Sequence, residues 1–384
     1  MSIFITNNIE QECENLISMY TDIGYVKKRI LQNYPNLSSA KQLSVAKKIK
    51  SHIDQANSFF EGTDDNVLTA PLTLFYAIQN YAKAIYLVNY PNLSLAGSHG
   101  IDFDNTVSQN ANEIGNITCK VTKNGTFRNL IAVTGDDLCA GDLFVIKDIF
   151  SLIPELRETY FLRYFEEPNV FLLRKKKHCT SEYEMILQEE NVGKIASRDF
   201  SLLENNSFHL VLGDKAGYIW IDANYSDEKG KRVLYNDIYG NTYCTNAISI
   251  NGRVVKMSKI VSLYLCYYAF SMLVRYHPEK WKAFCESSDI AIIRKLLINC
   301  RREMLVEVIQ LLSGKEYSFT TVMEEIDAEL DASEVYKLVK EEAWREYKRT
   351  GRNTMILSIL VDTFISKISF PMQPGPEIGS ISDA

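Results

Sequence analysis

The chain has 384 residues, 46% hydrophobic and 23% charged, a balance close to the globular average that allows a sizeable buried core. Lys plus Arg (42) against Asp plus Glu (48) leaves a net charge of −6, so phosphate backbones meet no global attraction and nucleic acid is not expected as a partner. The eight cysteines are scattered, with no C-x-x-C pair and no histidine at zinc-finger spacing; they read as buried free thiols in a reducing compartment, and neither metal nor cofactor is expected.

The first residues, MSIFITNNIEQECENL, lack the basic start, apolar stretch and small-residue cleavage site of a secretory signal, so a cytoplasmic location is expected. From Asn8 to Gly62 apolar and charged positions alternate at helical spacing. They break once, at NYPNLS (Asn33 to Ser38), where proline stops one helix and serine can cap the next, which predicts two helices. The same six residues return at Asn89 to Ser94 with different flanks and read as a second helix exit rather than a duplicated unit. Between the exits, VLTAPLTLFYAIQNYAKAIYLV (Val67 to Val88) has Thr69 placed to cap, Pro71 in the first turn and apolar residues around most of its circumference. This predicts a buried helix whose one charge, Lys83, lies on a line with Tyr76 and Asn80.

Farther along, ITCKVTKNGTFRNLIAV (Ile117 to Val133) alternates on both sides of Asn124-Gly125 and predicts a β-hairpin. Helical spacing returns in DLFVIKDIFSLIPELRETY and ends near Pro154, and strands are expected in SFHLVLG, GYIWIDANY and RVLYNDIYGNTYCTNAISING. Then SKIVSLYLCYYAFSMLVRY and DIAIIRKLLINCRREMLVEVIQLLSG predict two long helices, followed by a capped segment from Asp331 to Lys348 and an apolar helix from Asn353 to Ile368. Within the first of these, the 15 uncharged residues Ile260 to Val274 fall short of the ~20 needed to cross a bilayer and read as a core helix. The expected architecture is mainly α with an antiparallel β insertion (α+β), its helical body formed by the N- and C-terminal segments. Residues 1–105 form an N-terminal helical region, 106–255 a mixed region with β-hairpins, 256–370 a C-terminal helical region and 371–384 a disordered tail.

Catalytic signatures such as GxxxxGK[ST], GxSxG, HExxH and GxGxxG are absent. Of the five histidines, His52 lies on a lysine-rich helix face and reads as solvated, and His209 reads as structural within a strand. His178 closes the basic run Arg174, Lys175, Lys176, Lys177, His178, an exposed loop whose functional reading is a docking patch for an acidic partner or phosphate. His99 precedes Gly100 in a loop, and His277 follows the long helix, where a cation faces the helix C-terminus favourably. Asp102, Asp104 and the pair Asp136-Asp137 read as turn residues rather than metal ligands. On the long helix Tyr264, Tyr268, Ser271 and Arg275 form a second polar line, and Arg275 is expected to cap carbonyls or pair with a carboxylate, because an unpaired buried charge costs several kcal/mol. The functional expectation is that the Tyr76, Asn80, Lys83 line and the Tyr264, Tyr268, Ser271, Arg275 line face one polar pocket with His99 at its mouth.

ANSFFEGTDDNVLTAPLTLFYAIQNYAKAIYLV, the HG at His99-Gly100, the GTF at Gly125 to Phe127, LFVIKDIFSLIPELRETY, SMLVRYHPEKW and REMLVEVIQLLSGKEYSF together resemble, in order and spacing, the YaaC-like bacterial protein family. The resemblance runs from Ala56 to Phe319. It implies a mostly helical protein, with some members serving in antiphage defence beside a partner gene product. The expectation is a non-catalytic infection sensor that engages a defence partner protein encoded nearby, with a phage component or phage-associated membrane surface as a further contact; a homo-oligomer is left open. Two alternatives stand beside it. One is a ribonuclease similar to the helical HEPN type, whose arginine and histidine share one phosphate. Here Arg275 and His277 are too close, Arg174 and His178 sit within one basic run, and Arg128 has no histidine in range. The other is a small-ligand sensor that uses the two polar lines.

Overall fold

A computed structural model of the chain describes residues 2–320 except 7, 64–65, 96, 176–181, 187–207, 213–216, 222–233, 237–240 and 247. Met1–Phe319 form one compact unit. The expected helices at Asp331 to Lys348 and Asn353 to Ile368, and the 371–384 tail, lie outside the described residues.

Strand β1 (Ser2–Ile5) leads into α1 (Ile9–Ser18), where the Asn8 side chain accepts a hydrogen bond from the Gln11 amide at 3.1 Å. The stretch to Gly62 holds three helices rather than the expected two. After a 3-10 turn at Met19–Thr21, the Asp22 carboxylate accepts from the Tyr25 amide at 2.5 Å and starts α2 (Ile23–Asn33), a break that apolar periodicity alone does not reveal. Ser38 caps α3 (Ser39–Glu61), bonding the Lys41 amide.

Helix α4 (Ala70–Asn89) carries Pro71 in its first turn and is buried along nearly its whole length. Thr69 stands before it but does not cap it, since its hydroxyl turns back toward the Asn66 carbonyl. The repeated NYPNLS exits are conformational copies: Tyr34 (φ −135°, ψ 69°) ends α2 and Tyr90 (φ −137°, ψ 65°) ends α4. Each tyrosine amide bonds the carbonyl four residues back at 2.7 Å. The Tyr34 hydroxyl donates to the Asn89 carbonyl, so the two exits touch.

The hairpin expected at Asn124-Gly125 is replaced by a strand-to-helix turn. Strands β2 (Ile101–Phe103), β3 (Thr118–Val121) and β4 (Leu143–Val145) form an antiparallel sheet in that order, while α5 (Asn105–Asn110) links the first two. The residues after Gly125 form α6 (Thr126–Thr134), whose Phe127, Leu130, Ile131 and Thr134 enter the core at helical spacing. Gly125, at φ +139°, lies against Gly100, at φ +88°; a Cβ on Gly125 would stand 2.2 Å from the Gly100 Cα, so only glycine permits this crossing. The loop carbonyls of Ser98 and His99 accept from the Thr126 and Phe127 amides at 2.9 Å each, satisfying the first turn of α6.

The helix expected to end near Pro154 is α7 (Ile146–Phe150), and a 3-10 turn at Pro154–Leu156 then leads into α8 (Arg157–Tyr164). Six antiparallel strands follow: β5 (Val170–Lys175), β6 (Glu182–Ile186), β7 (Phe208–Leu212), β8 (Gly217–Ile221), β9 (Leu234–Asn236) and β10 (Thr242–Thr245), in the order β7-β8-β6-β5-β10-β9. The last four fall in segments expected to be strands; β5 and β6 were not expected. An Asn-Gly hairpin does occur, at Asn251 (φ 51°) and Gly252 (φ 72°), joining β11 (Ile248–Ile250) to β12 (Arg253–Val255).

Helix α9 (Lys259–Tyr276) is the second buried helix and packs on α4. The Asp136 carboxylate accepts from the Ser258 amide (2.9 Å) and hydroxyl (2.7 Å) at its start. It ends at His277, and Pro278 opens α10 (Pro278–Cys285), whose Trp281 packs on Phe270 and donates to the Val67 carbonyl. The single helix expected over Asp289 to Gly314 contains a π turn, Lys295–Asn299, between Ile290–Arg294 and Cys300–Ser313. Strand β13 (Tyr317–Thr320) then pairs with β1. The protein is mainly α with small antiparallel sheets, and no described helix is long and apolar enough to cross a membrane.

Candidate functional site

At 100° per residue, Tyr76, Gln79, Asn80 and Lys83 occupy about 100° of the circumference of α4. The Gln79 amide and His99 Nδ1 are 2.5 Å apart, and with the amide donating, the proton of the neutral ring sits on Nε2. Asn80 Oδ1 lies 3.2 Å from His52 Nδ1, which therefore carries the proton there, and the Asn80 amide donates to the Tyr76 carbonyl at 2.9 Å. His52 is thus half-buried and held by Asn80, not solvated as its lysine-rich flanks predict.

From α9, Arg275 reaches the same face. Its Nε donates to the Ser271 carbonyl at 3.2 Å, and its terminal nitrogens lie 3.3 Å from the Tyr76 hydroxyl and 3.4 Å from the Ser271 hydroxyl. The Ser271 hydroxyl donates to the Tyr268 carbonyl, and the Tyr268 hydroxyl to the Ile101 carbonyl. Phe75 is the apolar floor: His99, Tyr264 and Tyr268 all meet its ring edge-to-face, at centroid distances of 5.3, 5.7 and 5.4 Å. Tyr76, Asn80, His99, Tyr268, Ser271 and Arg275 are therefore joined by direct contacts. Tyr264 lies deeper, fully buried against Phe75 and Phe127, and its hydroxyl has no hydrogen-bond partner among the described residues.

The electrostatics of this face are one-sided. Arg275 caps a carbonyl as expected, yet neither Arg275 nor Lys83 forms an ion pair with a described residue. Burial lowers the Lys83 pKa. Burial, then the charges of Arg275 and Lys83, push His99 below the usual imidazole value. Burial also lowers His52, with Lys83 and Lys48 adding to it and the Asn80 hydrogen bond opposing. Burial first, and the nearby positive charges second, favour the neutral form of both imidazoles.

The remaining singled-out residues lie elsewhere. His277 meets Asn105 at 3.1 Å and stacks on Phe103, turned to different partners from those of Arg275. Arg174 and Lys175 belong to strand β5 rather than a loop, with Arg174 3.8 Å from Glu184, whereas Lys176, Lys177 and His178 lie outside the described residues. Among the described residues no group of three or more His, Cys, Asp or Glu side chains is arranged to hold a metal ion. Seven cysteines are described and all are free thiols, Cys139 exposed and most of the others buried.

The family model described as YaaC-like Protein matches residues 18–312. The chain belongs to the YaaC-like family. Neither a curated protein nor a solved structure matches it. The matched span of this YaaC-like protein contains both buried helices, His52, His99 and the α6 turn.

Two features escaped sequence reasoning in the YaaC-like chain. Gln79 is one, although its place three residues after Tyr76 puts it on the polar face. The other is a buried charged cluster in which Lys259 Nζ lies 3.0 Å from Glu155 and 2.7 Å from Glu303. Burial raises Glu155 to about 7 and Glu307 to about 6, against the pull of Lys259. Their wide separation in sequence hides the cluster.

Proposed function

We propose that this YaaC-like protein is a non-catalytic sensor whose α4–α9 face binds a small anionic ligand. The observation that carries this reading is a pair of cations, Lys83 and Arg275, without a carboxylate partner among the described residues, flanked by two histidines held neutral. A half-buried cation lacking a counter-ion is unfavourable in the free protein, and an incoming phosphate or carboxylate supplies what is missing. Neutral His99 has its Nε2 proton free to donate, that of His52 is engaged by Asn80, and each ring gains a second proton on protonation. The family resemblance supplies the setting, defence against phage, and the output, engagement of a partner protein encoded nearby.

Calorimetric titration with inorganic pyrophosphate tests the ligand side. Binding is expected for the wild type and is weakened at least tenfold by Lys83→Ala or Arg275→Ala; absence of wild-type binding at millimolar concentration ends the reading. Capture of a protein only from infected cells supports the partner side, and identical captures with and without infection oppose it. A ribonuclease reading requires Arg275 and His277 to share a phosphate, and their different partners lend it no support.

A further inference from the structure

The same face has an aromatic character that simple anion binding does not need. Phe59 and Tyr76 stack at 5.2 Å and 28°. The Arg275 guanidinium lies 5.9 Å from the Tyr76 ring centroid and 5.3 Å from that of Tyr276. Phe59, Tyr76, Arg275 and Tyr276 therefore form a run of flat groups, and its last member is 60% exposed. An aromatic ring left open at the end of such a run, beside a guanidinium, is a surface on which another planar group stacks.

Lys83 is seven residues beyond Tyr76 on α4, about 10 Å along the axis at 1.5 Å per residue. In angle around α4, Lys83 falls between Gln79, which holds His99, and Asn80, which holds His52. One end of the row offers a planar stacking surface with a guanidinium, and the other offers an ammonium flanked by two imidazoles. A bare polyphosphate leaves the stacking surface of Tyr276 unused, and an uncharged aromatic molecule leaves the ammonium and the imidazoles unused.

We propose that the ligand is a nucleotide, its base stacked on Tyr276 and its phosphates held by the cations Arg275 and Lys83 together with His52 and His99. This rests on the anion-site reading above. Little discrimination among bases follows, because stacking accepts any base and the Asn80 amide and carbonyl oxygen are both engaged by the protein.

Titration of the whole chain with ADP, pyrophosphate and adenosine separates the two levels. ADP is expected to bind about tenfold more tightly than pyrophosphate, from the contribution of one stacked base, and adenosine more weakly than either. Tyr276→Ala, at an exposed position, is expected to bring ADP to the pyrophosphate level and leave pyrophosphate binding unchanged. If wild-type protein binds pyrophosphate as tightly as ADP, the nucleotide assignment falls and the anion site stands. If Tyr276→Ala retains the full preference for ADP, the assignment also falls. If neither ADP nor pyrophosphate binds, the anion site falls with it.

Discussion

Gln79 and Asn80, consecutive residues of α4, hold His99 and His52, which arrive from a loop and from a different helix. Consecutive residues point about 100° apart around a helix, so the imidazoles flank the line on which Tyr76 and Lys83 sit. Burial and the cations keep both rings below their ordinary pKa.

That arrangement ties ligand binding to protons. A bound anion attracts the protonated imidazole and raises its pKa, so binding takes up protons and affinity rises as pH falls from 8 toward 6. Pyrophosphate calorimetry in buffers of different ionisation enthalpy measures the uptake directly. Zero uptake across that range would separate the histidines from the site.

Without ligand the sign for stability is the opposite. Each histidine binds a proton more readily unfolded than folded, so its contribution is present above the unfolded value of about 6.5 and is lost as pH falls toward the lower folded value. Denaturant midpoints at pH 7.5 and 5.5 should differ less for His52→Gln and His99→Gln than for the wild type.

Lys83→Met removes a half-buried cation that has no counter-ion among the described residues. It is expected to raise stability by about 0.5–1 kcal/mol while abolishing pyrophosphate binding, the trade-off of a site kept for function. A fall in stability on chemical denaturation would identify Lys83 as structural instead.

The Gly125–Gly100 crossing places His99. Gly125→Ala puts a Cβ into the backbone of Gly100 and forces an L-residue toward a left-handed φ. A loss of about 2–4 kcal/mol is expected from this combination of strain and overpacking. Gly97→Ala, a nearby substitution with open space around it, should cost far less on the same urea curve.

The Lys259 cluster yields a second pH signature. Burial raises Glu307 to about 6 from 4.5, so its contribution is most favourable below 4.5 and is lost as pH rises through 6. Glu307→Gln is expected to be more stable than wild type by about 1 kcal/mol at pH 8, with little gain near pH 4, as thermal or urea unfolding would show.

Much of the helical framework was legible because strong local causes set it. Pro35 and Pro91 end helices in the same way with the same flanking residues, and Pro278 stops α9 where its missing amide predicts. The misplaced hairpin has a tertiary cause. Asn124-Gly125 and Asn251-Gly252 carry the same dipeptide, yet only the latter is a hairpin, because Gly125 is used to pass Gly100 and the following residues bury a helical stripe. The local signal was equal, and the neighbour across the crossing decided between them.

The candidate site divides along the same boundary. Periodicity alone establishes that Tyr76, Asn80 and Lys83 share a line, and that Tyr268, Ser271 and Arg275 share another, because the pitch of an α-helix is independent of what surrounds it. That Arg275 meets Tyr76, that His52 enters beside Asn80, and that Lys83 lacks a carboxylate among the described residues depend on which helix faces come together. Those contacts join residues far apart in the chain. Packing of the whole core selects them, and no local pattern encodes them.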